Sequence, residues 1–92
     1  MTDTTTAILE ERGKRYGKFT EHARITQNMK SEAQRILHKR SVELKPDQAE
    51  ALDMIFHKIG RILNGDPDYA DSWRDIAGYA QLVADRLEGI ER

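Results

Sequence analysis

Apolar residues along this chain recur at spacings of three and four, and no segment alternates apolar and polar residues for long, so helix is the element the pattern predicts. A short first helix is expected over about residues 6–12, stopped by Gly13, with a loop Gly13-Lys-Arg-Tyr-Gly17 after it. A second is expected over about 20–38, opened by Thr20 as N-cap, with Ile25, Met29, Ala33 and Ile36 as its buried face. A linker from Lys39 to Lys45 ends at Pro46. The third helix, about 48–63, opens with Asp47 and Glu50 at capping-box spacing and carries the stripe Leu52, Ile55, Phe56, Ile59, Ile62 and Leu63. Asn64-Gly65 ends it, with glycine expected in the left-handed position. Asp66-Pro67-Asp68 makes the turn, and Asp68 caps a fourth helix over about 69–88, whose stripe is Tyr69, Trp73, Ile76, Ala80, Val83 and Leu87. So short a connection makes the last two helices antiparallel neighbours. The expected fold is all-α: one domain, a small helical bundle with a C-terminal antiparallel helix hairpin.

Composition adds a constraint. In 92 residues, hydrophobic types make up 38% and charged types 34%, so the core is thin and a second copy would help to close it. Met54 and Leu82 fall off the main stripes, a further reason to expect a homo-oligomer. Fifteen basic residues against sixteen acidic leave a net charge of -1, which argues against nucleic acid as the partner and makes any electrostatic site a local one. The absence of cysteine excludes disulfides, thiolate metal sites and cysteine nucleophiles. The N-terminus, Met1-Thr-Asp-Thr-Thr-Thr, lacks the basic start and apolar run of a signal peptide, and no stretch is apolar enough to cross a membrane. The expected location is the cytoplasm.

Ionisable residues gather in the hairpin: Glu50, Asp53, His57, Lys58 and Arg61 before the turn, Asp71 and Asp75 after it. Asp71 and Asp75 are one helical turn apart on one face, where like charges repel unless a cation sits between them. Mg²⁺ suits such carboxylates, since it prefers oxygen ligands and bridges to phosphates. A plainer reading pairs Asp75 with Lys58 across the hairpin, worth ~0–1 kcal/mol, and puts Asp53 on the opposite flank. On that reading a joint metal site needs rotated helices or a second subunit. Glu50 has the capping box as its alternative role, and Trp73 reads as core. His57 reads as a lone histidine on the polar face. In the glycine loop, Lys14 and Arg15 are suited to phosphate and Tyr16 to stacking on a base. No P-loop, Ser–His–Asp set or HExxH helix is present.

Glu50-x-x-Asp53, eighteen intervening residues and Ser72-x-x-Asp75 resemble the paired acidic motif of the all-α nucleotide pyrophosphatases, the superfamily of MazG and the dimeric dUTPases. There the pattern is Glu-x-x-Glu, then Glu-x-x-Asp, holding Mg²⁺ over a nucleoside triphosphate. Here Asp53 stands for a Glu and Ser72 for a Glu ligand, with Asp71 next to it as the possible substitute. The chain is also similar to small bacteriophage proteins in three stretches: Arg12-Gly-Lys-Arg-Tyr-Gly-Lys-Phe19, Glu50 to Asp66, and Asp71-Ser-Trp-Arg-Asp-Ile-Ala-Gly-Tyr79. Together these imply a phage-type, MazG-like protein that binds nucleoside triphosphates with Mg²⁺. Glu50, Asp53, Asp71 and Asp75 would hold the metal, while Lys58, Arg61, Arg15 and Tyr16 would hold the nucleotide. Hydrolysis, if it occurs, would be attack of water at the α–β linkage with Mg²⁺ as Lewis acid. The alternative implied by the missing Glu at 72 is a binding protein without turnover, which sequesters a nucleotide or docks on a host protein.

Overall fold

The helical periodicity is realised almost from end to end. A computed structural model describes residues 3–92, so the first two residues of the N-terminal stretch lie outside it. It comprises α1 (Thr4–Tyr16), α2 (Phe19–Arg40), α3 (Pro46–Asn64) and α4 (Ala70–Leu87), with no strand among the described residues. None of these helices is long and apolar enough to cross a membrane.

The helix ends differ from expectation in physically instructive ways. The first helix runs through Gly13, because one interior glycine costs only ~1 kcal/mol. It stops at Gly17, whose φ of 79° needs a residue without Cβ. Arg15 and Tyr16 are therefore on a helical turn, not in a loop. Thr20 lies inside α2 and Lys18 takes the N-cap position, without a side-chain cap. At the start of α3, the Gln48 side chain accepts from the Lys45 backbone N–H at 2.8 Å. The expected Asp47–Glu50 box is absent, since Asp47 instead accepts two hydrogen bonds from Arg86 of α4, at 2.7 and 2.8 Å. Asp68 does not cap α4; Tyr69 occupies that position, and Asp66 folds the turn by accepting from the Asp68 N–H at 2.9 Å.

α3 is the centre of the molecule. It packs against α4 along one side and α2 along another, α2 and α4 do not meet, and α1 touches only α2 and α3. At about 100° per residue, Asp53, His57 and Gly60 point to α2, and Asp47, Ala51 and Lys58 point about 130° away, to α4. The stripe through Leu52, Ile59 and Leu63 lies between the two; Leu52 borders a hollow with Leu37 of α2 and Leu44 of the linker, and Leu63 is exposed.

The expected core is accordingly left open. Among the described residues Ala51 is the one buried hydrophobic side chain, and Trp73, read as core, is 54% exposed. The Trp73 Nε1–H donates to the Pro67 carbonyl at 2.8 Å, which anchors the ring over the turn. The fourth helix is rotated from its predicted stripe, so that Ser72 is buried while Leu87 is exposed. Of the face predicted for α2, Ile25, Met29 and Ala33 are half-buried and Ile36 is exposed, while His22 and Thr26 are the buried residues. The radius of gyration is 15.8 Å, against about 12 Å for a compact chain of this length.

α2 and α3 approach closely at Gly60, where an added Cβ would lie 2.7 Å from Thr26 Cγ2 and 2.9 Å from the His22 ring. Both neighbours are buried and have no room to retreat. Gly60→Ala is therefore expected to cost about 1–3 kcal/mol. Gly78→Ala, in the open middle of α4, is expected to gain about 0.5–1 kcal/mol. Denaturant titration of the two variants checks the pair, and equal midpoints would refute the close crossing.

Candidate functional site

The best-built polar cluster sits where the end of α1 crosses the end of α3. Gly17 and Gly65 make the crossing possible: a Cβ on Gly17 would strike Asn64, and one on Gly65 would strike the Arg15 and Tyr16 backbone. Gly65 is needed for this approach and not for a left-handed turn, its φ being -135°. Across the gap the Asn64 Nδ2 donates to the carbonyls of Tyr16 and Lys18, both at 3.0 Å, and the Asp66 N–H donates to the Arg15 carbonyl at 2.8 Å. The Arg15 and Tyr16 carbonyls, in the last turn of α1 where intrahelical partners run out, are thus bonded to the end of α3 and the turn after it.

The side chains above this clamp form a ladder of arginines and tyrosines. The Arg61 guanidinium lies over the Tyr16 ring at 4.1 Å, and Arg15 lies over the Tyr69 ring at 4.4 Å. Tyr16 and Tyr69 meet edge to face with centroids 6.3 Å apart. The Tyr69 hydroxyl accepts from Arg15 at 3.3 Å and donates to Asp71 at 3.1 Å. Arg12, Arg15, Tyr16 and Arg61 line one open groove of about 490 Å³. On its other side Arg12, Tyr16 and Arg61 also border a more apolar hollow of about 420 Å³, with Leu9, Phe19, His22 and His57. A guanidinium stacked on a ring can still present its N–H edge to an anion; Arg61 does so, whereas Arg15 is bonded to the Tyr69 hydroxyl at 3.3 Å and to Glu11, which also lines the groove, at 3.4 Å.

His57 is not a lone surface histidine. Its Nδ1 is 3.2 Å from the Nε2 of His22 on α2, and the rings meet edge to face. Burial, then the charge of Arg61, holds His57 down to about 4 and moves His22 the same way. The His22 Nδ1 is buried without a hydrogen-bond partner. This pairing spans 35 residues of sequence. Its one sequence signal is Gly60, a glycine inside a helix, which marks a close approach. Tyr69, read as part of an apolar stripe, was likewise not identifiable as a site residue.

The four carboxylates are dispersed in the single chain. Asp75 pairs with Lys58 at 2.9 Å, as the plainer reading had it, and Asp53 pairs with Lys30 at 3.9 Å on the opposite side of α3. Asp71 is held by Arg74 at 3.3 Å and by Tyr69. Glu50 borders a separate hollow with Tyr79, Leu82 and Arg86. Among the described residues no three Asp, Glu or His side chains converge closely enough to hold a metal ion.

Fold and site together define a small four-helix protein with a basic, aromatic-lined groove at a clamped helix crossing. The chain belongs to the family described as a domain of unknown function (DUF6378), whose model matches residues 1–87. No curated protein and no solved structure matches the chain.

The histidine pair sets a pH dependence. His57 in the folded protein titrates about 4, below its ordinary 6.5, so the unfolded chain takes up protons first. Stability is therefore full above pH 6.5 and falls as the pH drops toward 4. His57→Gln should flatten that part of the profile, as followed by melting temperature between these limits; an unchanged slope would refute the assignment.

Proposed function

We propose that this is a phage-type, MazG-like protein that binds a nucleoside triphosphate with its Mg²⁺ and does not turn it over. The phosphates lie against Arg12, Arg15 and Arg61, and the base stacks in the neighbouring apolar hollow, beside Tyr16 and Phe19. The observation that carries the reading is the pair of stacked guanidiniums, Arg61 on Tyr16 and Arg15 on Tyr69, beside one open groove. A nucleotide brings its own Mg²⁺, which keeps most of its waters and needs few protein ligands.

Binding is favoured over hydrolysis by the ion pairs Lys58–Asp75 and Lys30–Asp53, which use two of the four carboxylates a pyrophosphohydrolase would aim at the metal. Lys58 thereby serves Asp75 and not the phosphates. Turnover would need Glu50, Asp53, Asp71 and Asp75 to converge through a second subunit. The setting we propose is a homo-oligomer in the host cytoplasm, with sequestration of a nucleotide as its task; docking on a host protein is the alternative.

The test is calorimetry and thermal shift with each (d)NTP and with inorganic triphosphate, with and without Mg²⁺. Binding should weaken about 10- to 100-fold in Arg61→Ala, the worth of one charged hydrogen-bonding partner. It should persist in Asp75→Asn, without pyrophosphate release from the wild type. Pyrophosphate release that Asp75→Asn abolishes would replace the binder by the enzyme. If no nucleotide or triphosphate binds, the reading falls.

A further inference from the structure

We propose that the open apolar face of the α3–α4 hairpin is the contact with a second copy of this chain, the two α4 helices packing antiparallel about a two-fold axis at Ala80. Area makes the first argument. The chain exposes 7064 Å², whereas a folded monomer of 10.6 kDa exposes about 5,500 Å². The excess, roughly 1,600 Å² per chain, would make a two-chain interface on the order of 3,000 Å², within the range of obligate homodimers.

Position makes the second argument. The α3 stripe through Leu52, Ile59 and Leu63 lies between the flanks that meet α2 and α4: Leu52 borders a hollow with Leu37 and Leu44, Ile59 is half-buried, and Leu63 is 66% exposed. Alongside it on α4 runs a second stripe, Trp73, Ala77, Ala80, Ala84 and Leu87, spaced four, three, four and three. Trp73 and Leu87 are its large, exposed ends. On the wheel this stripe lies on the side of α4 away from Asp75, and α1 lies on the other face of α3, beside Arg61. The apolar surface is thus continuous across two helices and clear of the basic groove.

Pattern makes the third argument, and it selects a second copy over another protein. Ala80 is seven residues from both Trp73 and Leu87, so an antiparallel pair centred there sets Trp73 of each chain on Leu87 of the other. The three alanines between allow the helix axes to approach to about 8 Å. A large–small–large pattern that maps onto itself is what an isologous contact requires. The Met54 and Leu82 flank lacks it: Leu82 stands beside Glu50 and Arg86.

The natural absence of cysteine makes the test clean. Sedimentation equilibrium of the full chain should give a dimer at low micromolar concentration. Mild oxidation should convert Ala80→Cys to a covalent dimer of unchanged helicity, and should leave Leu82→Cys uncoupled. Ala80→Glu should weaken association at least 100-fold, by placing two carboxylates at the axis, or leave a chain that no longer melts cooperatively. A wild type that is monomeric at 100-fold higher concentration and melts cooperatively would overturn the proposal. So would equal cross-linking at 80 and 82, or a dimer undisturbed by Ala80→Glu. None of these readouts depends on whether a nucleotide binds.

Discussion

Most of this structure follows from the position of α3, which has α2 on one side and α4 on another while these two do not meet, so that its richest apolar stripe falls between them. A helix buries about a third of its circumference against one neighbour, so two neighbours set apart leave two faces open. One open face of α3 is polar and partly covered by α1; the other is made of Leu52, Ile55, Ile59 and Leu63. Because the layer is one helix thick, most of its side chains are only half-buried, and Ala51 and Gly60 are the α3 residues that count as buried. The shape is the consequence: 51 by 30 by 24 Å, long and thin.

Polar pairs and close backbone approach set how the helices of the layer meet. The bidentate Arg86–Asp47 pair and the Lys58–Asp75 pair fasten α4 to α3 at two points. Arg86 donates to the Asp47 carboxylate and holds it below its usual range. At the other edge the contact between α2 and α3 depends on Gly60 admitting the buried His22 and Thr26. The end of α1 is fixed to the end of α3 by backbone hydrogen bonds and Asn64, so Arg15 and Tyr16 are positioned by the main chain. Their guanidinium and ring are thereby pre-organised, which lowers the ordering cost of binding an anion.

Four helices, their order and the break at Asn64-Gly65 were legible in the sequence because those signals are local: periodicity, a glycine, a proline. The Lys58–Asp75 pair was legible too, since a short turn fixes the register of the hairpin. Other features depended on long-range choices. Asp47 satisfies capping-box spacing, yet Arg86 competes for it and wins with two charged hydrogen bonds. Gly13 and Gly17 look alike in sequence, and the collision that Asn64 would make with any side chain at 17 distinguishes them. The α4 stripe read as core divides between two surfaces: Ile76 and Val83 are half-buried toward α3, while Trp73 and Leu87 remain outside. One amphipathic pattern served two interfaces, and a wheel drawn for one partner cannot separate them.

The two proposals constrain each other through geometry. The face proposed for self-association and the basic groove lie on opposite sides of the α3 layer, so pairing leaves both grooves open and pointing away from the axis. The same pairing keeps the carboxylates out of the interface: Asp75 is on the far side of α4 from Ala80, and Asp53 faces α2. A dimer built this way therefore cannot complete, at its interface, the acidic cluster that the single chain leaves dispersed. Lys58, largely buried at 12% side-chain exposure, has Asp75 as its neutralising partner. Removing Asp75 to serve a metal would strand a poorly hydrated ammonium, which costs more than an exposed ion pair returns. On the two proposals together, the arginines would carry recognition on one side of the layer and the apolar stripe self-association on the other, while Asp53 and Asp75 stay with Lys30 and Lys58.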